Sequence, residues 1–256
     1  MRLELVGAVL GVAMVVSSAA MAADEGVFSV GMQPSYFEGD YGTGKTVKIT
    51  YVPFYLKYKQ GDASFKVTIP YISVKSGGAL VSGGTVIGTS TTTGTRSGLG
   101  DIWLEGKYKL HTADGLVPNL VPYMKIKLPT ASKSDGLGTG KTDYEVGSGF
   151  EWTVGKSVFP FVKAGYRFVG KPSGKNLRNI MTYQAGSTFE LAPRNYLTLM
   201  YSGREATQSG FSSASDVLIA WDFQVGKDTS LQLYGDKGLS NGSPDFGLGA
   251  GISVKF

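Results

Sequence analysis

Gly39-Asp40-Tyr41-Gly42-Thr43-Gly44-Lys45-Thr46 has the spacing of a phosphate-binding loop. In such a loop, backbone N–H groups and the N-terminus of a following helix converge on the phosphates of a nucleotide. The residues that follow, Val47-Lys48-Ile49-Thr50-Tyr51-Val52-Pro53, are β-branched, aromatic and interrupted by proline, so the sequence predicts a strand there and no nucleotide partner. Gly-Thr-Gly-Lys-Thr recurs at 138–142, with Asp135 in place of the first glycine, and two copies at loop-to-strand junctions read as a structural turn. Nucleophilic catalysis lacks its parts as well. His111 is the single histidine, and the serine-rich stretch Ser240-Asn241-Gly242-Ser243 is expected at the opposite end of the strands, beyond hydrogen-bond reach. With no cysteine, only carboxylates remain as metal ligands, and Asp245-Phe246-Gly247 matches a kinase triplet by chance. The sequence therefore predicts no catalytic residue, no cofactor, no metal and no enzyme.

The chemistry that does recur is charge placed on one face of alternating segments. In 143–154, Tyr144, Val146, Phe150 and Trp152 share a face opposite Asp143, Glu145 and Glu151. In 101–110, Ile102, Leu104, Tyr108 and Leu110 oppose Asp101, Glu105, Lys107 and Lys109. The same alternation puts Lys125, Lys127, Lys163, Arg167, Glu190, Asp222 and Asp236 on the side away from lipid. Facing lipid at mid-depth would cost a lysine or arginine about 2 to 4 kcal/mol. All these charges are expected to line a lumen, either as a polar conduit or as salt bridges that close it. Lys107, Lys109, Lys125 and Lys127 are expected to form a basic wall that favours anions.

Twelve such segments are legible: 27–38, 46–59, 63–75, 98–110, 120–130, 143–154, 158–170, 179–191, 196–204, 214–225, 230–237 and 245–256. Each approximates the length of a tilted strand that crosses a bilayer. Their connections alternate between short, turn-forming links, such as 60–62, 155–157, 192–195 and 226–228, and longer Gly/Ser/Thr stretches such as 76–97, 131–142 and 205–213. Short periplasmic turns and long outer loops follow, with both termini in the periplasm. The nearly uncharged stretch 76–97 is expected to be a mobile outer loop, an inward-folded plug being the alternative.

The ends agree with an exported barrel. Phe246, Leu248, Ala250, Ile252, Val254 and Phe256 alternate with Gly247, Gly249, Gly251, Ser253 and Lys255, and the terminal aromatic resembles the assembly signal of outer-membrane barrels. At the front, Arg2, an apolar run over 5–16 and Ala20-Met21-Ala22 predict a signal peptide, 1–22, cleaved before Ala23 or one residue later. One barrel domain, 23–256, is then expected. The 37 glycines, 14 tyrosines and 13 phenylalanines suit tight turns and aromatic girdles, and a net charge of +5 without a basic cluster gives no reason to expect nucleic acid. Without cysteine, stability must come from the sheet itself.

Gly98-Leu99-Gly100-Asp101-Ile102-Trp103-Leu104-Glu105-Gly106-Lys107-Tyr108-Lys109-Leu110 and Leu128-Pro129-Thr130 with Gly136-Leu137-Gly138-Thr139-Gly140-Lys141-Thr142-Asp143-Tyr144 resemble the MetA-pathway of phenol degradation family of outer-membrane proteins. With the closing strand, the resemblance covers most of the expected mature chain. It implies uptake of aromatic or other hydrophobic compounds and supplies no substrate residues. The expectation is an all-β, antiparallel, up-and-down transmembrane barrel of about twelve strands in the outer membrane of a Gram-negative bacterium, passing small molecules passively. A non-transporting structural or adhesive barrel is the alternative, and an outer-membrane enzyme a further one. The expected partners are outer-membrane lipid and lipopolysaccharide, the barrel-assembly machinery that reads Phe256, and a small-molecule solute.

Overall fold

The computed structural model describes residues 26–110 and 117–256; the expected signal peptide and His111 lie outside the described residues. The strands are β1 (Val27–Met32), β2 (Ser35–Gly39), β3 (Val47–Gln60), β4 (Ala63–Ser76), β5 (Ala79–Ser82), β6 (Thr85–Thr89), β7 (Gly94–Leu99) and β8 (Ile102–Tyr108). They continue with β9 (Asn119–Leu128), β10 (Asp143–Glu151), β11 (Val158–Phe168), β12 (Ile180–Ala192), β13 (Asn195–Arg204), β14 (Ala214–Val225), β15 (Thr229–Gly238) and β16 (Phe246–Lys255).

β1 and β2 are two halves of one stave, since both pair with β3 on one side and β16 on the other. The break falls at Gln33-Pro34, where proline has no N–H to give the ladder but its carbonyl still accepts from Ala250 N–H at 3.1 Å. β7 and β8 likewise share β4 as a neighbour and break at Gly100-Asp101. Counted this way, twelve antiparallel staves close through β16, which meets both β1 and β2. Closure pairs the staves edge to edge, as the hydrocarbon interior of a membrane demands, except at β7, which among the described residues pairs with β4 alone. Each of the twelve expected segments falls on one stave.

Alternation sorts the two faces. Val30, Leu56, Val146, Val162, Leu199, Ile219, Leu233 and Ile252 are exposed outward as an apolar band. Aromatic pairs flank it: Phe28–Tyr58, Phe28–Phe256, Phe150–Trp152 and Trp221–Phe223 near the end that carries the termini, and Tyr36–Phe246, Tyr166–Phe168 and Tyr183–Tyr201 near the other. Two girdles around an apolar band are the outer surface of a membrane barrel. At the terminal end the links are tight; Gln60 and Ala63 pair across Gly61-Asp62, and Gly61 takes a φ of 53° that a side chain would resist.

The stretch 76–97 corrects the expectation of a mobile outer loop. β5 and β6 form an antiparallel hairpin that lies inside the barrel, with Val81 fully buried and Val86 4% exposed. Its sequence explains this: Leu80, Val81, Val86 and Ile87 flank Gly83-Gly84, and those apolar residues gain by leaving water. The stretch 131–142 folds inward with it, since Val81 N–H donates to the Gly136 carbonyl at 3.0 Å.

Candidate functional site: the barrel lumen

The half of the lumen nearer the long loops is a packed apolar core. Phe37, Ile49, Tyr51, Ile72 and Val74 point inward from β2, β3 and β4 and bury Ala79, Val81 and Val86 of the hairpin. Leu80 and Ile87 meet Val169, Leu177 and Ile180 on the other side. Polar ties pin the hairpin across the lumen: Arg204 donates to Thr85 Oγ1 at 2.6 Å, and Lys175 Nζ to the Thr89 carbonyl at 2.8 Å. The expected polar conduit therefore does not run through this half. The reason is that β3 and β4 reverse the usual sorting here, with Val47, Ile49, Ile72 and Val74 buried inward and Lys48, Thr50, Ser73 and Lys75 turned outward.

The first glycine-rich stretch belongs to this closure. Tyr41 turns inward with a φ of 52° and is 2% exposed, and burial pushes the pKa of its phenol up. β3 follows it directly, without a helix. The second copy packs a buried ion pair: a Cβ on Gly138 would lie 2.8 Å from Ala131 Cβ and 3.0 Å from Asp101 Oδ1, so only glycine fits.

Below the core lies an ionic layer built by cross-strand register. Lys127 stands opposite Asp143, and Lys125 opposite both Glu105 and Glu145. Lys127 Nζ is 2.9 Å from Asp143 and 3.5 Å from Asp101, and donates to Ser82 Oγ at 2.7 Å. Asp101 also accepts the Ala131 N–H at 3.2 Å. Lys125 pairs with Glu105 at 3.3 Å; Arg167 donates to Glu145 through Nε at 2.8 Å and Nη2 at 2.6 Å. Lys109 pairs with Glu151 at 2.7 Å nearer the terminal end. Of the four lysines expected to form a basic wall, Lys125 and Lys127 hold carboxylates that register sets opposite them, and Lys109 reaches across β9 to Glu151 of β10. Lys107 is half-buried and lines the space below.

Beneath the hairpin, space remains. A cavity open to the lumen lies between Lys125, Lys163 and Arg167 on one wall and Tyr234, Asp216 and Asp236 on another. It adjoins a second, smaller one through Tyr123, Lys163 and Gln184. A smaller one beyond it, beside Asp62, Ser64 and Lys109, leads to the terminal end. Lys163 Nζ lies 4.0 Å from the Tyr123 ring centroid. Asp222 accepts from Gln232 at 2.6 Å, but its other oxygen, like one each of Asp216 and Asp236, is buried without a partner. Glu190 stands apart from these cavities, half-buried at a register irregularity of β12. Residues that sequence reasoning passed over, Tyr123, Phe161, Ser82 and Thr139, matter here as much as the charges.

A family model described as "Putative MetA-pathway of phenol degradation" matches residues 26–256. No curated protein matches the chain. Among solved structures, the COG4313 outer membrane channel from Pseudomonas putida F1 superimposes with a TM-score of 0.71 at 14% identity, covering 93% of this chain and 97% of that one. The translocator domain of the autotransporter NalP from Neisseria meningitidis gives 0.58 at 12%, covering 92% and 90%. The NanC porin gives 0.56 at 11%, covering 89% and 100%. At such identities the likeness is one of fold, and the fold is that of outer-membrane barrels, channels among them.

Proposed function

Because the chain belongs to the MetA-pathway of phenol degradation family, we propose that it is a passive outer-membrane channel for small solutes, aromatic compounds among them. The observation that carries this reading is the run of cavities from beneath the hairpin to the terminal, periplasmic end. A purely structural barrel gains nothing from unfilled space, since filled interiors are the more stable. No energy-coupling part is needed: the solute moves down its own gradient, and the protein supplies a walled path with selected side chains. The hairpin, held by hydrogen bonds and apolar contacts alone, acts as the constriction. A twelve-stave barrel is narrow beside the sixteen-stranded porins, which favours selectivity over bulk flow. Small solutes are the partners in the lumen, and the apolar band and its girdles meet lipid, with lipopolysaccharide at the outer rim.

Planar-bilayer recording of the refolded barrel tests the reading. Reproducible ion-selective current steps are expected, whereas a silent barrel would favour the structural or adhesive alternative. Assembly is assigned to Phe256, which is 68% exposed, stacks on Phe28 and closes the last ladder by exchanging hydrogen bonds with it. Removing Phe256 is expected to lower the amount of heat-modifiable barrel in outer membranes; undiminished folding would argue against that role.

A further inference from the structure

Gly149 leaves a hole in a lumen wall that is otherwise filled row by row. Register aligns Val121, Gly149, Lys163 and Gln184 across β9, β10, β11 and β12. The adjacent rows are Tyr123, Gly147, Gly165 and Thr182 on one side, and Asn119, Glu151, Phe161 and Gly186 on the other. Their glycines are covered. A Cβ on Gly147 or Gly165 would come within 2.6 or 2.1 Å of the Tyr123 hydroxyl, and one on Gly186 within 2.8 Å of the Phe161 ring. Gly149 alone among these four is open: a Cβ there would meet nothing closer than 3.6 Å. The result is the cavity walled by Val121, Tyr123, Phe161 and Lys163, which opens to the rest of the lumen.

The charge in that cavity is unbalanced. Glu105 and Glu151 also line it, but each is held by a lysine, Lys125 at 3.3 Å and Lys109 at 2.7 Å. Lys163 rests on the Tyr123 ring and, among the described residues, has no carboxylate oxygen within 4.0 Å. A lysine in a confined, ring-lined space is better satisfied by an anion than by the ring.

We propose that this space is a binding subsite for a small aromatic carboxylate. The ring lies in the hole over Gly149, against Phe161, Val121 and Tyr123, and the carboxylate accepts hydrogen bonds from the Lys163 ammonium. Two aromatic walls select a ring over an aliphatic chain, and the ammonium selects an acid over a neutral aromatic. The assignment deepens the channel reading by naming the solute class that the path retains longest.

The test is calorimetric titration of the refolded barrel with benzoate, beside benzyl alcohol (the ring without the charge) and acetate (the charge without the ring). Saturable benzoate binding is expected. Lys163→Gln should weaken benzoate about tenfold or more and leave benzyl alcohol unchanged, as loss of one charge-assisted hydrogen bond requires. Gly149→Val, whose Cβ would meet nothing closer than the Val162 carbonyl at 3.6 Å, should weaken both ring ligands. Heat-modifiability confirms that each variant is folded. The proposal is overturned if benzoate does not saturate, if Lys163→Gln binds it undiminished, or if acetate binds as tightly as benzoate. Bilayer recording on the same preparations separates the two readings. Current steps without benzoate binding would sink the subsite and leave the channel, while benzoate binding by a silent barrel would keep the subsite and sink the channel.

Discussion

Lys127 concentrates more of the lumen's polar bonding than any other side chain described above. Its ammonium is 2.9 Å from Asp143, 3.5 Å from Asp101, 2.7 Å from Ser82 and 3.3 Å from Thr139, so one residue ties β10, the break before β8, the hairpin and the stretch 131–142. It is fully buried. Removing one partner from a buried ionic cluster strands the others and costs about 3 to 5 kcal/mol. Lys127→Met is therefore expected to lower markedly the temperature at which the folded band is lost on an unboiled gel. Lys109→Met, at a pair whose side chains are 13% and 17% exposed, should lower it less. Equal shifts would refute the ranking. Alternation in the sequence marked Lys127, Asp101 and Asp143 as inward-facing residues. What alternation lacks is register, so neither the pairing of Lys127 with Asp143 nor the arrival of Ser82 and Thr139 from loops was legible.

At the scale of elements, the staves were readable because lipid on one side and a lumen on the other impose a two-residue period along most of their length. The hairpin was harder, because it is buried on all sides and its composition resembles that of an outer loop. A signal was present nonetheless: two short apolar runs separated by Gly83-Gly84, whose φ values of 60° and 82° suit a hairpin turn. Shortening 79–89 to a Gly-Ser linker removes the side chains that fill the outer half while leaving the stave ladders intact. Single-channel conductance is then expected to rise in the variant. Unchanged conductance would mean that the hairpin does not limit the path. Arg204→Ala, which cuts the tie to Thr85, should give a smaller rise with more frequent opening.

Over the whole molecule, the lumen divides into walls whose ionisable groups of opposite kind lack close partners. A net charge of +5 says little about this, because the balance depends on which charges find partners. On the side of β4 and β11, Lys66 and Lys163 have no carboxylate oxygen within 4.0 Å among the described residues. On the side of β14 and β15, Asp216, Asp222 and Asp236 each keep a buried oxygen without a partner. A passing ion responds to such uncompensated groups more than to pairs that cancel at short range. The cavity towards the terminal end carries Lys163 beside carboxylates that lysines already hold, so the permeant anion is favoured there. A reversal potential of the anion-selective sign is expected in a salt gradient. Lys66→Gln with Lys163→Gln should move it toward cations, and Asp222→Asn with Asp236→Asn the other way. Both shifts should shrink as salt is raised and the Debye length contracts. If replacing the paired Lys109 and Lys125 moved the potential as far as replacing the unpaired two, selectivity would follow total rather than uncompensated charge, and the division of the lumen into two walls would fail.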